Sequence, residues 1–157
     1  MRHTLLILLF AAAITTHANP QRIFFKDLRS YAMGSKTVPA SVKAMDGKTV
    51  SIIGFMVPFD SVDKIDRFVL LQAPFMGCYH VPPPQPNESI LVNASRVKPT
   101  LTYDPVMITG TLKVEPSYVE GYLVALYTLN LTSIRAAKQS DAELEGLPAN
   151  FHMFSEF

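Results

Sequence analysis

Between Thr49 and Leu129 the chain alternates apolar, β-branched and aromatic runs with polar or proline-containing breaks. Thr49–Val57, Arg67–Gln72, Ser89–Asn93, Pro105–Val114 and Gly121–Leu129 each have the composition of a β-strand. Pro58 ends the first run or confines it to an edge, and Asp60 to Asp66 is a polar connection. Before Thr49 the period is different. Ile23, Phe24, Phe25, Leu28 and Tyr31 fall on one helical face within Pro20–Ser35, with Gly34-Ser35 as the stop. Val38–Met45 reads as one or two helical turns with Pro39 near the first position, and Asp46-Gly47 as a tight turn. After Ser140 the pattern predicts a short helix around Asp141–Leu144. An apolar end follows at Phe151, Met153, Phe154 and Phe157.

Two of the strands echo each other. Val50-Ser51-Ile52-Ile53-Gly54-Phe55-Met56 and Val106-Met107-Ile108-Thr109-Gly110-Thr111-Leu112 both fit V-x-I-x-G-x-(M/L). A glycine in mid-strand costs stability unless it serves a bulge, a sharp coil or a close backbone approach. Strands that bend this way, joined mostly by short connections, predict a mainly β fold. The specific expectation is a single small antiparallel barrel, OB-like, with short helical segments at its ends. A plain antiparallel sheet with glycines at bulges is the alternative. The link from Ala94 to Asp104 contains Pro99 and shows no helical period, a departure from an OB barrel, which usually carries a helix there.

The first residues change the picture from a domain to an exported domain. A basic start (Met1, Arg2), an apolar run from Leu5 to Ile14 and Thr16-His17-Ala18 before Asn19 read as a cleavable signal peptide. That run is shorter than the roughly 20 residues a spanning helix needs. The expected organisation is a signal peptide over 1–18, a lead-in over 19–37, a barrel-like domain over 38–135 and a tail over 136–157. No membrane span is expected in the mature chain. Loss of Arg2 leaves basic and acidic side chains in balance, which argues against nucleic acid or an anionic membrane as partner. The single cysteine of the sequence excludes an internal disulfide, so the fold rests on its core. Asn-x-Ser/Thr triplets at Asn87, Asn93 and Asn130 matter only in a eukaryotic secretory pathway.

Reactive groups concentrate in Gly77-Cys78-Tyr79-His80-Val81-Pro82-Pro83-Pro84-Gln85-Pro86-Asn87. On extended backbone, Cys78 and His80 point to one side and can share one ion. A thiolate with an imidazole suits zinc or copper(I). Two ligands do not complete a site. The further candidates are His152, Met153 and Met76, with the carboxylates Asp60 and Asp63 behind them. A methionine sulfur favours copper(I), and His152 or a carboxylate favours zinc. The competing reading packs Cys78 as a small apolar residue, with His80 holding the loop through a hydrogen bond. Thiol redox chemistry lacks a resolving cysteine and a local positive charge. A cysteine hydrolase lacks an oxyanion loop, so no catalytic residue is assigned and an enzyme is not expected. Pro82, Pro83, Pro84 and Pro86, with Asn87, form a polyproline-like stretch that either aims Cys78 and His80 or serves as a stiff binding edge.

Val38-Pro39, Asp46–Val50, Ile53–Pro58, Phe68–Leu71 and the Gly77–Asn87 stretch together resemble an exported bacterial family, the domain of unknown function 3299. The resemblance runs from about Val38 to about Leu129. It implies a Gram-negative envelope location, often as a periplasmic protein or lipoprotein, and genes near ABC-type transporter components, sometimes with metal homeostasis. It implies no reaction. The expectation is therefore a periplasmic binding or accessory protein of an envelope transport or metal-homeostasis system, partnered by a component such as an ABC-type transporter subunit. A protein-interaction module with a purely structural Cys78–Asn87 stretch is the alternative.

Overall fold

The two strands that share V-x-I-x-G-x-(M/L) are partners. In the computed structural model, which describes residues 19–59, 62–73 and 83–147, β2 (Thr49–Pro58) lies antiparallel to β5 (Val106–Val119). Val50 stands opposite Gly110, Ile52 opposite Ile108 and Gly54 opposite Val106, so each glycine faces the first valine of the other motif. The expected signal peptide, Asp60, Met76, Cys78, His80, Pro82, His152 and Met153 lie outside the described residues.

The remaining strands close a ring around this pair. β2 pairs β3 (Arg67–Leu71) through Phe55–Pro58, β3 pairs β4 (Ser89–Asn93), β4 pairs β6 (Tyr122–Ala136), and β6 returns to β5. This is the expected OB-like barrel. Its one parallel pair among the ring strands is β4 with β6. The connection from β4 passes β6 to reach β5, and the β5–β6 hairpin then brings β6 back beside β4, a Greek-key path. A two-residue strand β1 (Gln21–Arg22) adds parallel to β2.

Both motif glycines sit where the barrel turns. β2 changes partner at Gly54, from β5 to β3, and a Cβ there would stand 2.6 Å from the Leu71 carbonyl oxygen. At Gly110 a Cβ would overlap the Asn130 carbonyl, and β6 bulges there by one residue, Thr132. Close backbone approach is thus the reason for glycine at both positions.

Alternation fills the inside. Phe68, Val92, Leu129 and Leu112 form one cross-strand row, and Met56, Leu70, Ile90 and Tyr127 another, all buried. Burying each large side chain is worth about 1.5–3 kcal/mol, so these two layers supply much of the stability.

The strands expected at Thr49–Val57, Arg67–Gln72 and Ser89–Asn93 occur within a residue of their limits. β5 and β6 run further than expected, to Val119 and Ala136, joined by a tight turn at Glu120-Gly121 where both residues have positive φ. The predicted N-terminal helix is reduced to one turn, α1 (Phe25–Leu28), because the preceding residues pair with β2. Ile23, Phe25 and Leu28 are nevertheless buried against the barrel. α2 (Ala40–Lys43) starts after Pro39, and Gly47, at φ +72°, makes the expected turn into β2. The Ala94–Asp104 link holds a turn at 95–97 and no helix. It bonds instead to the β2–β3 connection, through Ile65 N–H to Pro99 O and Leu101 N–H to Val62 O. A 3-10 turn at Ala142–Gly146 stands where the C-terminal helix was expected.

Candidate functional site

The Cys78–Asn87 stretch is the connection between β3 and β4. Leu71 and Ser89, the last and first residues of those strands, are paired directly, so the connection leaves and re-enters the barrel at one narrow neck. Its return limb is ordered by its own sequence. Pro83 and Pro84 are exposed, and Pro86 opens a 3-10 turn, Pro86–Glu88. Glu88 Oε2 accepts from the Gln85 N–H at 3.1 Å and Ser89 Oγ donates to Gln85 O at 3.1 Å. Proline at the first helical position loses no hydrogen bond, which explains Pro86.

Two other segments hold the neck, the residues just after α1 and the tail at Gly146. Arg29, just after α1, donates from Nη1 to Gln72 Oε1 at 2.5 Å and lies 3.8 Å from Glu88 Oε1, bridging the outgoing and returning limbs. Asn87 Nδ2 donates to Tyr31 O at 3.0 Å. Gln72 Nε2 donates to Gly146 O at 2.6 Å, which ties the outgoing limb to the start of the C-terminal tail. Below them Tyr127 donates from its hydroxyl to Leu28 O at 2.7 Å, pinning α1 onto the barrel. Burial, then the nearby Tyr31, pushes the Tyr127 phenol well above its usual range, so it stays a neutral donor.

The tail is clasped twice before it reaches that point. Arg135 grips Asp141 with Nη1–Oδ2 at 2.7 Å and Nη2–Oδ1 at 2.8 Å, and Lys138 N–H adds a bond at 2.7 Å. The hydrogen-bonded guanidinium of Arg135, foremost, lowers the Asp141 carboxyl to about 2. Glu143 is buried; it accepts from Ser51 Oγ at 2.8 Å, with Arg22 Nε 3.6 Å away. Gly146 lies under Phe24, where a Cβ would stand 2.6 Å from the ring.

Of the expected site residues, Pro83, Pro84, Pro86 and Asn87 are placed here. Cys78, His80, Pro82, Met76, His152 and Met153 lie outside the described residues. Asp63 belongs to the β2–β3 connection, at the opposite end of β3 from the neck. Among the described residues no group of three or more His, Cys, Asp or Glu side chains converges. Asn87 Oδ1 is buried without a hydrogen-bond partner among the described residues, an acceptor left at the base of the loop. Sequence reasoning missed Arg29, Gln72 and Glu88. Gln72 and Glu88 flank the stretch, but a lone Gln and a lone Glu give no signal until the fold brings Arg29 between them.

A family model described as a protein of unknown function, DUF3299, matches residues 13–136. The chain is similar to the crystal structure of a DUF3299 family protein from Pseudomonas aeruginosa PAO1, with 23% identity and a TM-score of 0.58, covering 79% of this chain and all of that one. At that identity the likeness shows the fold. Weaker likenesses are to an S. pombe Stn1–Ten1 complex (13% identity, TM-score 0.41, 78% of this chain and 81% of that one) and to a small single-stranded DNA-binding protein from Streptomyces coelicolor (16%, 0.31, 57% and 93%). No curated protein matches.

Proposed function

Since the chain belongs to the DUF3299 family, proteins of unknown function, we propose its role from the site: a periplasmic binding or accessory protein of an envelope transport or metal-homeostasis system. Its Cys78 loop takes up a zinc or copper(I) ion. The observation that supports this is the Gln72–Gly146 hydrogen bond. It joins the roots of the two segments on which the candidate ligands lie. Cys78 is six residues beyond Gln72, and His152 is six beyond Gly146. At about 3.3–3.6 Å per extended residue, both reach a common point with length to spare. Cys78 and His80 then gain the third ligand the sequence lacks nearby: His152 for zinc, or Met153 for copper(I). Arg29, Glu88 and Asn87 act by fixing the neck rather than by touching the ion.

Binding requires the thiolate, so uptake of metal releases a proton and strengthens with pH. A competition titration of the reduced, leaderless protein with zinc and with copper(I) tests the reading. Sub-micromolar binding is expected, with Cys78→Ser and His80→Ala each weakening it more than about tenfold, or 1.4 kcal/mol. Binding no tighter than micromolar, or variants equal to the parent, overturns it.

The exposed Pro83 and Pro84 favour a second reading, a stiff edge that docks an envelope partner such as an ABC-type transporter component. That reading predicts partner capture that survives both ligand substitutions and fails when Pro83 and Pro84 become glycine.

A further inference from the structure

At the far end of β4 from the Cys78 loop, five strands contribute a polar row. Arg67 pairs with Asn93, Asn93 with Asn130, Asn130 with Thr111 and Thr111 with Thr49. The adjacent row, Phe68, Val92, Leu129 and Leu112, is fully buried, so alternation turns the polar row outward. The Thr132 bulge and the turn after β4 shape part of this face into a cleft of about 300 Å³. Asn93, Ser95, Arg96, Thr111, Asn130 and Thr132 line it, with the edge of Leu131 and no carboxylate. The volume is at the lower end of small-molecule sites.

Asn93 Oδ1 accepts from Ser95 N–H at 3.3 Å and Ser95 Oγ at 2.9 Å, and Asn93 Nδ2 donates to Asn130 Oδ1 at 3.3 Å. The Thr132 hydroxyl donates to Thr109 O at 2.9 Å. The groups with no partner among the described residues are the Asn130 NH₂, the Thr111 hydroxyl and the Arg96 guanidinium, and each of them can donate. The neighbouring Asp66 carboxylate is matched by Lys98 at 3.6 Å. A cleft with donors to spare, one unmatched cation and no acid selects an acceptor-rich anion.

We propose that this cleft is a second binding site, for a small molecule bearing an oxyanion, in which Arg96 supplies the charge and Asn130 and Thr111 the remaining donors. Arg96 presents a planar fork suited to a carboxylate or to a phosphate. The site stands apart from any metal on the Cys78 loop and does not rest on that reading.

The test is an NMR titration of the leaderless protein at low ionic strength, following the Asn93 and Asn130 side-chain amides. D-glucuronate and inorganic phosphate are the probes. Saturable shifts of both amides below about 10 mM are expected from at least one probe. Saturation by glucuronate alone assigns a carboxylate, by phosphate alone a phosphate, and by both a general oxyanion site. Arg96→Gln is expected to weaken binding more than tenfold, and Lys98→Gln less than twofold. Arg96 is an exposed turn residue, so a loss in R96Q with an otherwise unchanged spectrum cannot come from unfolding. Non-saturating shifts with both probes, or R96Q binding like the parent, overturns the proposal.

Discussion

Single residues set the barrel's shape at points where the chain cannot accept an ordinary side chain. Gly54→Ala and Gly110→Ala each drive a methyl group into backbone: the Leu71 carbonyl in one case, the Asn130 carbonyl in the other. Neither obstacle is a flexible side-chain end, so each variant should lose about 1–3 kcal/mol or more in denaturant unfolding. Gly110→Ala is expected to be the worse of the two. Tyr127→Phe keeps the ring and removes one donor, leaving Leu28 O with the Tyr31 N–H alone; the expected loss is about 1 kcal/mol. The raised phenol pKa gives the sign of its pH dependence. The neutral form is the one stabilised in the fold, so its contribution is complete below the unfolded value of about 10 and declines as pH rises above it. Alkaline unfolding should therefore move to higher pH in Tyr127→Phe relative to its own neutral-pH stability.

Elements were legible where pattern and packing agree. β2, β3 and β4 are largely buried and bounded by prolines or polar turns, so their limits show in the sequence. The shared glycine motif even marked β2 and β5 as related strands, though only the register makes them partners. β5 and β6 run past their apparent ends in the sequence for a physical reason. Beyond Val114 the chain meets Glu115-Pro116, and beyond Leu129 it meets Asn130, Thr132 and Ser133, all of which look like strand ends. They continue as strands because their outer face is wet and because bulges absorb the misfit, one at Gly110 and others around Ser117. At the N-terminus, pairing with β2 outweighs the helical period of Ile23–Tyr31 and leaves one turn, α1. At this scale the tail clasp is open to test. Arg135 holds the Asp141 carboxyl at about 2, below the ordinary value of about 3.9. The stabilisation this supplies is complete above pH 4 and is lost as pH falls through about 2. Proteolysis of the C-terminal segment should be flat from neutral pH down to about 4 and rise below it. In Asp141→Asn the segment should be cut faster already at pH 7.

For the whole molecule, the barrel class was legible from strand spacing and bent strands, while the two candidate sites were legible to different degrees. The Cys78 stretch announces itself by composition. Its clamps do not, because Arg29, Gln72, Glu88 and Gly146 are scattered over the chain and meet only at the neck. The oxyanion cleft gave no signal at all: its residues are neutral but for Arg96 and lie on three strands and a turn. β4 separates the two, with the Cys78 stretch leading into its start and the cleft at its end.

On the proposed reading, the Cys78 loop and the C-terminal tail, rooted side by side at Gln72 and Gly146, hold one metal ion. Cobalt(II) substitution reports this directly through the thiolate-to-metal absorption band. The band should form with the leaderless protein, vanish in Cys78→Ser, and shift or lose intensity when His152 and Met153 are both changed to alanine. No band with the parent protein, or a band indifferent to the tail substitutions, would contradict it.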